Sequence, residues 1–223
     1  MMDWRWDFTV EILPRLLLAT LNTLMAAGVG YGIALVVGLV FALGQRTPSA
    51  VLNRGVREVV EFIRSTPLVL QIFFVFYVGP QFGIRLSPWT SGMIAIGLHY
   101  AAYLSEVYRG ALEAIPKGQW EATRALNLST WRTYTGVILP QTLPIALPGM
   151  GNYLVGIFKD TPMLSVIGVA ELMHTANAIG SESYRFLEPY TLVGIIFLAL
   201  SLPTAAGLRR LESWLRVRLG LTR

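Results

Sequence analysis

The chain has 223 residues, of which 54% are hydrophobic and 14% charged, with a formal net charge of +5. Soluble domains carry about a quarter charged residues, so this deficit is large. Residues 16–45, 65–84, 86–105, 133–158 and 189–208 contain no Asp, Glu, Lys or Arg at all. Each window approaches the roughly 20 residues a helix needs to cross a bilayer core, which argues against a soluble fold. The basic residues are scattered between these windows, which excludes a nucleic-acid surface. There is no cysteine, and the only histidines are His99 and His174, so disulfides and thiolate metal sites are excluded.

In chain order, segment 1–15 mixes Trp4, Trp6 and Phe8 with charges. It is predicted to lie on the outer surface as an interfacial helix. The apolar stretch that follows is too long for the core of a signal peptide and is predicted as the first span. Within it, Gly28-x-x-x-Gly32 is a small-xxx-small pattern that permits close helix contact. On the second span, Arg57, Glu61 and Arg64 recur three or four residues apart at the predicted cytoplasmic entrance. Glu61 and Arg64 are candidates for an inner gate; a self-paired stripe at headgroup depth fits the same spacing.

The third span carries His99, Tyr100 and Tyr103 at its middle and Glu106 beyond them. The fourth contains Asn152 and Tyr153 and ends at Lys159 and Asp160. Segment 161–181 is fairly apolar but holds Glu171 and His174, and is predicted as a short outer-leaflet or re-entrant helix. A fifth span leads to a basic tail, 212–223, with Trp214. The membrane-spanning body is thus expected over 16–211.

The positive-inside rule orients five spans. With the N-terminus outside, the inside segments carry twelve basic residues: Arg46, Arg54, Arg57, Arg109, Lys117, Arg124, Arg132, Arg209, Arg210, Arg216, Arg218 and Arg223. The outside segments carry five: Arg5, Arg15, Arg85, Lys159 and Arg185. Calling 161–181 a sixth span would reverse this bias. The expected fold is an all-α integral membrane protein with five transmembrane helices, the N-terminus outside and the C-terminus cytoplasmic.

The inside loop 109–133 reads RGALEAIPKGQWEATRALNLSTWRT. Pro116 suits the first turn of a helix, where its missing N–H has no partner to lose. A helix from Pro116 to about Leu126 is predicted, closed by Asn127 in a left-handed conformation. Ser129 is placed to cap the next helix. An ordinary amphipathic loop helix would read the same way.

Glu121-Ala122-Thr123, then Asn127, then Val137-Ile138-Leu139-Pro140 resemble the signature loop of ABC importer permeases. That signature is Glu-Ala-Ala, a glycine where this chain has Asn127, and Ile-x-Leu-Pro. Thr123, Asn127 and Val137 depart from it mildly. Arg64-Ser-Thr-Pro67-Leu-Val-Leu-Gln71, Tyr103-Leu-Ser-Glu106-Val-Tyr-Arg109-Gly110, Leu139-Pro-Gln-Thr-Leu-Pro-Ile-Ala-Leu-Pro148, and Lys159-Asp160-Thr161-Pro162 through Ser165-Val-Ile-Gly168 resemble elements of its polar amino-acid branch. His99-Tyr100 departs from the small polar pair expected there and is similar to ectoine-type permeases.

The resemblance implies an ABC type I importer permease architecture. It implies that helix 116–127 is a coupling helix, with Lys117, Gly118, Trp120, Glu121, Ala122, Arg124, Ala125 and Asn127 at the ATPase. It implies two ATPase subunits holding ATP and Mg, a second permease that is identical or related, and an extracytoplasmic solute-binding protein. No G-x-x-x-x-G-K-[ST] loop occurs in the chain, so no ATP site or other cofactor is expected on it, and it is not itself an enzyme. Glu121 and Arg124 are also an i,i+3 pair that stabilises a helix surface unaided.

Gln71, His99, Tyr100, Tyr103, Glu106, Asn152, Lys159 and Asp160 are the candidate pathway residues. A zwitterionic solute suits opposite charges and aromatic walls, although such groups also serve as helix-to-helix hydrogen bonds. Two other classes of membrane protein share this composition. An ion-coupled secondary transporter usually carries a paired intramembrane acidic site, and a passive channel needs no capped cytoplasmic helix.

Overall fold

The computed structural model describes residues 3–218, with side chains through Leu215. The end of the expected basic tail, 219–223, lies outside the described residues. Among them the chain is all-helical. α1 (Trp6–Gly44) is followed by α2 (Ala50–Ser65) and α3 (Leu68–Phe73). α3 runs on through a π-helical turn (Phe74–Val78) and a 3-10 turn (Gly79–Phe82). α4 (Pro88–Glu113), α5 (Lys117–Ala125) and α6 (Thr130–Arg132) come next. A second π-helical turn (Thr133–Ile138) leads into α7 (Leu139–Asp160), then a 3-10 turn (Thr161–Ile167), α8 (Leu172–Ser183) and α9 (Leu187–Arg218).

Two helices are long and apolar enough to cross a membrane, Trp6–Gly44 and Leu187–Leu215. Two bent pairs bring the number to four if each counts as one span: Ala50–Ser65 with Leu68–Phe82, and Thr130–Ile167 with Leu172–Ser183. α4 is not among them. Its window lacks charge but carries Ser, Thr, His, Tyr and Gly, so freedom from charge overstates its apolarity. It is instead the most enclosed helix, with Ser91, His99, Tyr100 and Ser105 all buried.

The close packing of α1 on α4 explains the small residues. Gly28 and Gly32, the expected contact pair, have nothing within 4 Å of an added Cβ. The contact runs one face over, along Gly30, Ala34 and Gly38, all buried. A Cβ on Gly38 would lie 2.9 Å from the Ala101 carbonyl oxygen, and one on Gly97 would lie 2.6 Å from Ile33 Cγ2. Small-xxx-small spacing therefore operates here at a register the simple motif did not mark.

The interfacial helix expected over 1–15 is not a separate element. Helix runs unbroken from Trp6 through Pro14 into the first span. Its outer end is tied to the α8–α9 corner. The Arg5 amide donates to Glu188 Oε1 at 3.1 Å, Arg185 Nη2 donates to the Asp3 carbonyl at 2.6 Å, and Arg15 pairs with Glu182 at 3.0 Å. Ile12, Leu16, Leu172, Ala176, Ile179 and Val193 form an apolar cluster beneath these contacts.

The second window is also not one straight helix. The α2 axis and the axis of Leu68–Phe82 differ by 107°. Pro67 forces the preceding Thr66 into an extended conformation, which ends α2. The freed carbonyls are met by side chains. Thr66 Oγ1 donates to Phe62 O at 3.0 Å, and Gln71 Nε2 donates to Ile63 O at 2.7 Å. Arg57, Glu61 and Arg64 accordingly sit on α2, before the bend, not on the following segment. Segment 161–181 begins as the 3-10 turn and turns at Gly168 (φ 77°) into α8. Buried Glu171 caps α8, accepting from the amides of Met173 at 2.9 Å and His174 at 2.7 Å.

Candidate functional site

Near the middle of the bundle, α4 and α7 diverge around a cavity of about 540 Å³. His99, Tyr100, Tyr103 and Val107 line it from α4, and Gly149, Asn152, Tyr153, Gly156 and Asp160 from α7. The four rings form one connected box. His99 lies 5.1 Å from Tyr103, and Tyr153 lies 6.0 Å from Tyr100 and 5.5 Å from Tyr103, centroid to centroid. Two glycines let the helices approach. A Cβ at Gly156 would stand 3.0 Å from Tyr100 Oη, and one at Gly149 2.9 Å from Val107.

The box holds one carboxylate. Tyr100 Oη donates to Asp160 Oδ2 at 2.7 Å, leaving the second carboxylate oxygen for a ligand. Gln71 lies behind the wall. Its Nε2 is committed to Ile63 O, Thr66 O and Thr66 Oγ1, so its Oε1 faces His99 Nδ1 at 3.2 Å. That arrangement makes Nδ1 the donor and leaves Nε2 as the free ring atom. A carboxylate within aromatic walls attracts an ammonium group, because the ring faces and the anion act in the same direction.

The other pathway candidates divide. Asn152 lines the cavity. Lys159 is exposed at the end of α7 and is not part of the cavity lining. Glu106 belongs to a second, charged cavity of about 360 Å³, lined by Gln45, Arg57, Glu58, Val60, Glu61, Arg64 and Arg109. There Arg109 pairs with Glu106 at 2.6 Å and Glu113 at 2.9 Å, and Arg64 with Glu61 at 3.4 Å. Tyr103, which lines the first cavity, touches Arg64, which lines the second. Its hydroxyl donates to the Arg64 carbonyl at 3.3 Å, while the Arg64 guanidinium stands 5.5 Å from its ring centroid. Tyr153, noted in the sequence beside Asn152, lines the cavity with it, and Val107, Gly149 and Gly156 are additions to the sequence-based set.

The loop helix forms as its residues dictate. α5 starts after Pro116 and ends with Asn127 at φ 50°. The Asn127 amide bonds to Arg124 O at 2.9 Å and the Leu128 amide to Thr123 O at 3.0 Å, the pair of bonds that closes a helix through a left-handed residue. Ser129 Oγ accepts from the Arg132 amide at 3.4 Å. Lys117, Gly118, Glu121, Ala122, Arg124, Ala125 and Asn127 are exposed, whereas Trp120 is half-buried and Thr123 buried.

A family model described as "Binding-protein-dependent transport system inner membrane component" matches residues 8–217. The chain belongs to that family. It is similar to a probable amino-acid ABC transporter permease protein, y4tG, of Sinorhizobium fredii, with 44% identity over 91% of this chain and 87% of that protein. It is also similar to the glutamine transport system permease protein GlnP of Escherichia coli, with 34% identity over 97% of this chain and all of that protein. A solved structure of an amino acid ABC transporter with histidines superposes with a TM-score of 0.88 at 29% identity, over 95% of this chain and 99% of that one. The permease thus has the ABC type I fold and is an integral protein of the bacterial inner membrane, as its signature loop led one to expect. Its relatives are permease components, not enzymes.

Proposed function

We propose that this permease forms the translocation pathway of an amino-acid importer and that the α4–α7 cavity receives the solute on its way through. The observation that carries the reading is the box of His99, Tyr100, Tyr103 and Tyr153 closed by a single carboxylate, Asp160. Asp160 and the rings take the solute ammonium; Asn152 and His99 Nε2 supply neutral polar contacts. The glutamine and amino-acid assignments of its relatives support an amino acid as the cargo. His99-Tyr100 supports the narrower reading of a zwitterionic compatible solute such as ectoine.

In this reading five spans cross the membrane, with the N-terminus outside and the C-terminus in the cytoplasm. α4 is the semi-polar span whose side chains face the pathway. The permease pairs with a second permease, two ATPase subunits bind beneath, one of them on the exposed face of this chain's α5, and a binding protein delivers the solute outside. ATP and Mg reside on the ATPase. Glu61 and Arg64, with Arg109 and Glu106, close the pathway below Tyr103. Closure of the ATPase dimer moves α5, the spans rearrange and the cavity opens outward; hydrolysis resets it.

Reconstitution tests this. Vesicles containing the permease, its ATPase and its binding protein should accumulate one member of a panel of labelled glutamine, arginine, histidine and ectoine, and only with ATP inside. Uptake by this chain alone under an ion gradient would establish a secondary transporter instead.

A further inference from the structure

Trp120 stands apart from the rest of α5. Its neighbours on the helix, Lys117, Glu121, Ala122 and Arg124, face solvent, while its indole turns inward. Arg46, two residues beyond the end of α1, places its guanidinium 5.4 Å from the indole centroid. Tyr134, in the turn that leads into α7, meets the indole edge-on at 5.6 Å. Leu112 and Ile115, at the end of α4, and Ile138 form the apolar cluster on which both rings pack. One side chain therefore touches the ends of the three helices that build the bundle and its cavity. Thr123, the other inward residue, is 3% exposed and its hydroxyl bonds to the Trp120 carbonyl at 2.9 Å.

A helix can transmit a push only if its far side is fastened. The exposed face offers charge for a partner, and Trp120 offers none. A large ring with two side-chain torsions, held by a cation over one face and an aromatic edge, makes a stiff contact at small entropic cost. We propose that Trp120 is a positioning residue that fastens α5 to α1 and α7, with Arg46 and Tyr134 as its receivers, and that it does not contact the ATPase. The proposal rests on the reading that α5 docks an ATPase.

The absence of cysteine makes the test direct. A single Asn152→Cys reporter in the cavity is labelled with maleimide in the complete complex, permease with ATPase subunits, in nanodiscs with and without ATP and vanadate. Trp120→Ala should keep the ATPase subunits and keep ATP hydrolysis within about twofold, while the nucleotide-dependent change in labelling shrinks by about tenfold. Trp120→Phe should restore most of that change, and Arg46→Gln should reduce it by about threefold. Loss of the ATPase subunits on purification of Trp120→Ala would make Trp120 a docking residue and overturn the proposal. An undiminished labelling change in Trp120→Ala, or in Arg46→Gln if Trp120→Ala does not insert, overturns it equally. Glu121→Arg tests the underlying reading separately: normal assembly and normal solute-stimulated turnover in that variant would remove Glu121 from the coupling surface and count against ATPase docking on α5, whatever Trp120 does.

Discussion

α5 and the α4–α7 cavity are held by interactions of opposite range. The end of α5 is closed by backbone bonds within residues 123–128, and its shape owes little to distant chain. The cavity is closed by bonds between elements far apart in sequence, Tyr100 to Asp160 and His99 to Gln71. A body fixed by local bonds keeps its shape when displaced. A wall fixed by bonds between separate helices changes as soon as those helices move. In the proposed function, rigidity thus belongs to the end that would take the push, and adaptability to the end that would hold the solute.

The largest effect should come from the one carboxylate. Asp160→Ala removes the only charge of the box and leaves the buried Tyr100 hydroxyl without its acceptor. A hydrogen bond to a charged group is worth about 1.5–3 kcal/mol, so ATP-driven uptake should fall by about 30-fold at low solute. Assembly with the ATPase should be unchanged. Uptake within twofold of the parent protein would mean that the cavity serves helix packing alone. At the other end, Glu121→Arg should lower solute-stimulated ATP turnover by about tenfold while the protein inserts normally, because it reverses the charge an exposed docking face presents. Normal stimulated turnover in the assembled variant would remove Glu121 from the coupling surface.

A smaller effect tests whether local closure of α5 matters at all. Asn127 adopts φ 50°, a conformation that costs a β-branched residue about 1–2 kcal/mol and glycine nothing. Asn127→Val should open the 126–128 turn to limited proteolysis several times faster than the parent, and Asn127→Gly should leave it as it is. Equal cleavage of both would show that packing of Trp120 and Thr123 fixes α5 without help from its end.

This difference in range also decided what the residues revealed before the fold. Pro116, Asn127 and Ser129 act on backbone one to four positions away, so their roles could be read from order alone. The break at Thr66-Pro67 had the same local signature, yet the absence of charge suggested one continuous span, because charge counts ignore the extended conformation that proline imposes. The cavity was partly legible: polar residues are costly inside a bilayer and point to a pathway. What spacing could not supply was rotation about each helix axis. Glu106 lies three residues past Tyr103, yet it faces the charged cavity with Arg109. Gly28 and Gly32 likewise sit one face away from the contact made by Gly30 and Gly38.

Rotation gives the finest prediction, because sequence grouped His99 with Lys159 and the structure separates them. His99 is buried, lines the box and is oriented by Gln71, so its Nε2 is available to a solute. His99→Ala should change the ratio of uptake rates between two solutes of the panel by about fivefold to tenfold, the scale of one neutral hydrogen bond. His99→Gln keeps a polar atom there and should lie between the two. Lys159 ends α7 exposed, outside the lining, and an exposed cation contributes less than about 1 kcal/mol to anything it pairs with. Lys159→Ala should therefore leave the selectivity ratio within twofold, with at most a change in maximal rate that weakens at high salt. If Lys159→Ala shifts selectivity as strongly as His99→Ala does, the solute reaches beyond the aromatic box to the end of α7, and Asp160 would be the inner rather than the outer limit of the site.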